Sequence, residues 1–221
     1  MLSGRQLVLS RISADIDDYT VNTGNQRRFI MANRIVPETT RLPLAGQLLV
    51  STERCADSVL RGSVCLVLHH GDEGSMGLVL NRAIDFDVDN LWKYLKAPGD
   101  GVRPIRFGGP MSGPILALHN QEQLAEVAAA SGVYVAAHVD KLQQLVASHA
   151  GEVRIVVGQV LWKVGQLEHE LDDGIWLALP ATPELVFAPE EEMWRRGMRE
   201  VGNRYISLIT GAVQPHHAVL N

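Results

Sequence analysis

Cysteine is scarce. Cys55 and Cys65 are the only two in 221 residues, too few for a disulfide framework, and neither belongs to a Cys-x-x-Cys or Cys-x-x-His unit. A reducing interior is the default compartment for such a chain. Long apolar runs are missing too. Every hydrophobic stretch is cut by Gly, Pro or charge before it reaches the roughly 18–20 residues of a membrane helix. Leu7-Val8-Leu9 is too short for the apolar region of a signal peptide, and Asp15, Asp17 and Asp18 follow closely. These features point to the cytoplasm. Positive charge is also in deficit, with 20 Lys and Arg against 25 Asp and Glu. The chain as a whole therefore lacks the basic surface that releases counterions from DNA or anionic lipid.

What remains is an ordinary globular composition. Apolar residues make up 46% and charged residues 20%, mean hydropathy is near zero, and the length suffices for a buried core in one or at most two domains. Residues 1–41 differ from the rest. Six arginines there face four acids, so the stretch carries +2 and the remaining 180 residues carry −7. It shows neither helical nor alternating periodicity and reads as an N-terminal extension, largely mobile, with Met31 as an alternative start. Residues 42–221 read as a single domain with a C-terminal tail from about 203.

Within that body, Gln47 to Val50 suits a strand, and Ser63–His70 and Met76–Arg82 flank a Gly-rich turn as a β-hairpin. Both hairpin runs are almost continuously apolar, so each strand is expected to be covered on both faces. Val88–Leu95 has helical spacing. Ile105–Phe107 and Ile115–His119 read as strand, tight turn, strand. Asn120–Ser131 is open between helix and loop. Val133–Ala136 reads as a strand, and Asp140 as the cap of a helix reaching Ala150. Val153–Trp162 reads as one strand and Gly165–Leu171 as a short helix. Ile175–Leu179 and Glu184–Ala188 read as two further strands. A final helix enters at Pro189, with Glu190, Glu191 and Glu192 in its first turn, and ends at Gly202. Strands and helices are mixed without βαβ repetition, which predicts an α+β fold with a mostly antiparallel sheet.

Motifs with known chemistry are thin. Gly71, Gly74 and Gly77 cluster, but no phosphate-loop pattern surrounds them, and Asp72 and Glu73 would repel an anion. No zinc spacing links His69, His70, His119, His138, His149, His169 and the terminal His216-His217, so neither metal nor cofactor is expected. Ser63, Ser75, Ser112, Cys55 and Cys65 are possible nucleophiles without a Gly-x-Ser-x-Gly elbow, and Cys65 reads as a small core residue. Asn81, Arg82, His119, Gln166 and Glu168 draw more interest. Each lies at the end of an apolar element or beside Gly or Trp, where a scaffold can hold a polar group at the mouth of a cleft. The alternative is that they fasten loops by bonding backbone groups.

Several blocks occur in a telling order: Gly46-Gln47-Leu48-Leu49-Val50, Glu73-Gly74-Ser75-Met76-Gly77 through Asn81-Arg82, Gly108-Gly109-Pro110, and Trp162-Lys163-Val164-Gly165-Gln166-Leu167-Glu168 with Trp176 and Pro180-Ala181. In order and spacing the chain resembles the YqgE/AlgH family from about Leu44 to Gly202, and the Gln166-Leu167-Glu168 block after Trp162 is the most specific part. The resemblance implies an α+β fold whose mostly antiparallel, bifurcated sheet rolls into a pseudo-barrel flanked by helices. It also implies a cytosolic bacterial protein. The family name carries a suggestion of transcriptional regulation, without a helix-turn-helix, and no enzymatic activity is established for the family. Ala83 replaces the common proline, Ser75 a frequent alanine, and His69 the usual Glu, so no acid at 69 carries over.

The leading expectation is a non-enzymatic regulatory or adaptor protein. It would bind a small molecule or protein partner in a cleft near Asn81, Arg82, Gly108, Gly109, His119, Gln166 and Glu168, and influence transcription indirectly. A hydrolase with His119 or His70 as base is the first alternative. Direct DNA binding through the Arg-rich extension is the second.

Overall fold

Runs such as Val64-Cys65-Leu66-Val67 can bury both faces only if something covers each side, and that requirement organises the molecule. The computed structural model describes residues 43–84, 95, 104–148 and 150–211. Among these, ten strands form two five-stranded sheets. The first holds β1 (Gln47–Ser51), β2 (Val64–Gly71), β3 (Gly74–Val79), β9 (Val160–Trp162) and β10 (Trp176–Pro180), in the order β10-β1-β2-β3-β9. The second holds β4 (Ile105–Phe107), β5 (Leu116–His119), β6 (Val127–Ala130), β7 (Val133–Ala136) and β8 (Val153–Val157), in the order β4-β8-β5-β7-β6. Every strand pair is antiparallel except β4 with β8. The α+β class and mostly antiparallel pairing follow the sequence reading, but the sheet is split in two and does not close.

Alternation decides which residue meets which layer. Leu48, Val50, Leu66 and Leu78 face a core shared with Leu116, Leu118, Val133 and Val156 of the second sheet. Leu49, Cys65, Val67 and Val79 point the other way, into a cluster with Leu167. Among the described residues four α-helices complete the layers: α1 (Val139–Ala147), α2 (Gln166–Asp172), α3 (Pro183–Val186) and α4 (Glu190–Thr210). Leu142, Leu145 and Val146 of α1 cover the outer face of the second sheet, and α2 covers that of the first. Met193 of α4 enters the shared core, with Trp194 and Met198 packed against it. Arg106 and Arg154 converge on Glu190 and tie the start of α4 to the second sheet.

Several sequence expectations need correction. The strand, tight turn, strand expected at 105–119 does not form a pair, because β8 lies between β4 and β5. Val153–Trp162 is two strands in different sheets, broken where Gly158 takes φ +85°. Ala128 to Ala130 belong to strand β6, and 184–186 fall in helix α3 rather than a strand. Glu126, not Asp140, serves the start of α1: its carboxylate accepts the Ala137 and His138 amides, each at 3.0 Å. The expected tail from 203 is helix as far as Thr210, and Gly211 at φ +63° ends it. The extension at 1–41 and the helix at 88–95, apart from Leu95, lie outside the described residues.

Candidate functional site

Most of the polar residues singled out from sequence hold the backbone. Asn81 accepts the Val64 amide at 2.8 Å and donates to the Gly62 carbonyl at 2.9 Å. Arg82 donates to the Arg61 carbonyl and, at 3.4 Å, to the Ser63 hydroxyl. Gly108 lies between the sheets, its carbonyl taking the Val79 amide at 2.7 Å and its own amide reaching Val157 at 2.7 Å. A Cβ on Gly108 would collide with the Gly158 carbonyl, and one on Gly109 with the Gln159 backbone. Glycine is needed at both for close backbone approach.

His119 is fully buried at the end of β5, beside the Tyr134 ring at 6.0 Å, and neither ring nitrogen makes a hydrogen bond of ordinary geometry. Burial pushes its pKa down, and the Gln121 backbone offsets this only in part. It is a neutral core residue, sealed from any substrate. The first alternative therefore loses one of its two bases. Cys65 is equally sealed, with its thiol pushed far up by burial.

The seven residues do not gather around one hollow. Ser75 near the start of β3 pairs with Trp162, whereas Val79 at its other end touches Gly108. At about 3.3 Å per residue, the length of β3 separates Asn81, Arg82, Gly108 and Gly109 from Gln166 and Glu168. His119 lies apart in the second sheet.

Gln166 belongs to a knot that the sequence reading missed. Its side chain accepts the Lys163 amide at 3.0 Å and donates to Glu170 at 2.8 Å. The other Glu170 oxygen accepts both the Trp162 and Trp176 indole N–H groups, at 2.9 and 2.7 Å. A buried indole needs an acceptor, and one carboxylate here serves two. The i,i+4 spacing of Gln166 and Glu170 behind Trp162 was the available signal. The most family-specific block is thus explained by packing.

Glu168, one of the seven, lines a cleft of about 430 Å³. The floor is the α2-facing side of β1 and β10, with Gln47, Ala178 and Pro180. Glu168, Leu171 and Asp172 form one wall, being three and four apart on α2. Arg204 comes in from α4, and Pro43 and Leu44 close the near side. His70 also lines it, with Nδ1 at 2.8 Å from the Ser75 hydroxyl and Nε2 at 3.7 Å from Glu168. Among the described residues Asp172 and Arg204 have no hydrogen-bond or ion-pair partner, and Glu168 has only His70. A second hollow of about 360 Å³ adjoins it, sharing Pro180 and Arg204 and adding Arg199 and Glu200.

Among the described residues no group of three or more His, Cys, Asp and Glu side chains could hold a metal ion, and no helix is long and apolar enough to cross a membrane.

Comparison with known proteins agrees with this architecture. The AlgH-like family model matches residues 48–206, from inside β1 to inside α4. A UPF0301 protein of Chlamydia caviae is 30% identical over 80% of this chain and 94% of its own length. Another, of Chlorobium luteolum, is 32% identical over 73% of this chain and 87% of its own. The solution structure of the AlgH protein from Pseudomonas aeruginosa superposes with a TM-score of 0.62 at 26% identity, across 83% of this chain and all of that one. A Corynebacterium diphtheriae protein of known crystal structure shares the fold, with a TM-score of 0.59 at 22% identity over 72% of this chain and 87% of that one. On the strength of the matched span and these relatives, the chain belongs to the AlgH-like family.

Proposed function

We propose that the chain is a non-enzymatic regulatory or adaptor protein of the bacterial cytoplasm. Its ligand, a small molecule or a short segment of a partner, occupies the cleft between α2 and α4, and any influence on transcription is indirect. The observation that carries this reading is the meeting of an apolar floor with three charged groups, Glu168, Asp172 and Arg204, that do not neutralise one another. Ligand pockets combine an apolar lining with a few such polar groups, at volumes of roughly 300–1,000 Å³. Ala178 is exposed on the floor, so Ala178→Trp fills the cleft without disturbing the core. A metabolite panel screened by thermal melting should yield compounds that raise the Tm of the native chain and not of Ala178→Trp. Shifts that survive in that variant would place the ligand elsewhere.

One observation favours the hydrolytic reading: Ser75, His70 and Glu168 lie in a row. Ser75 is buried and does not line the cleft, so its hydroxyl is better placed to orient His70 than to attack a substrate. Ester turnover abolished by Ser75→Ala, with melting unchanged, would reverse that judgement.

A further inference from the structure

Resting on the cleft as the binding site, we infer that its ligand is a small zwitterion: an ammonium and a carboxylate at the two ends of an apolar body, of the size of an apolar amino acid or dipeptide. The ammonium lies against Glu168 and Asp172, the carboxylate against Arg204, and the apolar body on the floor of the cleft.

Among the described residues, charges on this cleft are left without partners. Glu168 and Asp172 stand four residues apart on α2 and both line the cleft, and like charges at that spacing repel. His70 faces Glu168 at 3.7 Å, but Asp172 has no partner among the described residues. Arg204 is a cation on the same cleft and pairs with neither acid. Opposite charges that share a hollow without touching leave an interaction that a bound molecule can make with both. A simple cation would meet the acids but be repelled by Arg204, and a simple anion would face the two carboxylates. A molecule carrying both signs satisfies each wall, and a guanidinium is the side chain best suited to grip a carboxylate through two parallel bonds. Leu44, Leu171, Ala178 and Pro180 line the same cleft, so the body of the ligand that joins its two charges is apolar. A volume of about 430 Å³ is at the small end of ligand pockets, in keeping with an amino acid or dipeptide.

The test uses the full chain and four defined probes: leucine, leucyl-leucine, leucinamide and N-acetylleucine. Thermal melting and calorimetric titration should show binding of leucine or leucyl-leucine. Leucinamide, lacking the carboxylate, and N-acetylleucine, lacking the ammonium, should each bind about tenfold more weakly or worse. Arg204→Gln should erase the preference for leucine over leucinamide while keeping that over N-acetylleucine, and Asp172→Asn, which leaves Glu168 in place, should weaken the preference over N-acetylleucine while keeping that over leucinamide. Both residues are exposed, so the variants should melt like the parent. A purely structural role would not split the two preferences in this way. Equal binding of blocked and unblocked probes overturns the inference, as does the absence of any shift with leucine and leucyl-leucine. If a singly charged or neutral metabolite instead raises the Tm and Ala178→Trp removes that effect, the zwitterion is wrong and the cleft stands. If nothing binds in a manner sensitive to Ala178→Trp, both fall.

Discussion

His119 shows how one residue type supports opposite readings until its surroundings are known. At the end of an apolar strand it has the look of a site residue, yet the fold encloses it completely, and burial lowers its pKa. The sign of the consequence is definite. In the unfolded chain the imidazole takes up a proton near pH 6.5, whereas the buried ring stays neutral, so below that pH the unfolded state binds more protons. Stability is then complete above about pH 6.5 and declines as the pH falls toward the lowered folded value, with a slope of at most about 1.4 kcal/mol per pH unit. His119→Phe should remove that part of the slope between pH 7 and 5 in urea-melt titrations. An unchanged slope would mean that the ring is protonated inside the fold. Glu126 also titrates with a lowered pKa, because the Ala137 and His138 amides and the His138 ring together overcome the effect of burial. Its loss of stability falls in the carboxylate range, near pH 4, and stays separate. Asn81 and Arg82 were legible as polar residues at element ends. Their role was not, because the Gly62, Val64 and Arg61 groups they hold lie 17 to 21 residues away in sequence.

Helix α4 sets out the same problem at the scale of an element. Its amphipathic stripe, acidic first turn and Glu192–Arg196 pair at 2.8 Å were all readable locally, whereas its end was not: the helix runs past Gly202 to Thr210. A glycine can end a helix or merely weaken it by about 1 kcal/mol, and only packing distinguishes the two. Gly202 sits mid-helix with nothing within 4 Å of a would-be Cβ, whereas a Cβ on Gly197 would lie 2.8 Å from Val50 Cγ2 in the core. Gly202→Ala should therefore stabilise by about 0.5–1 kcal/mol, and Gly197→Ala should destabilise by roughly 1–3 kcal/mol through overpacking. Denaturant midpoints of the two variants, moving in opposite directions, check this, and a shift of the same sign in both would refute it. Similar logic explains the alanines of β6. Their helix propensity is overridden by pairing with β7, in which Ala128 meets Tyr134 and Ala130 meets Val133.

At the scale of the whole molecule, individual strands were mostly legible and their partners were not. Apolar alternation marks a strand but carries no record of its sheet, so Val153–Trp162 read as one strand where the chain leaves one sheet for the other at Gly158 and Gln159. The cleft was illegible for the same reason. Gln47, His70, Glu168 and Arg204 come from four elements, and only the stacking of α2 and α4 about the edge of the first sheet brings them together. The join between the sheets depends on short backbone bonds at Gly108, which reaches Val79 on one side and Val157 on the other, both at 2.7 Å. A methyl group there would press on the Gly158 carbonyl and on Val156 Cγ1, and neither can move without parting β8 from its neighbours. Because this backbone is buried on both sides, the strain is relieved only by separating the sheets. Gly108→Ala should thus cost about 3 kcal/mol, a fall of roughly 6–12 °C in Tm for a chain of this length. It should also speed amide exchange at Val79 and Gly108 more than at Leu142 and Leu145 of α1, because the damage is local to the join. An unchanged Tm, or exchange raised equally in both regions, would show that the two sheets are not held together at this point.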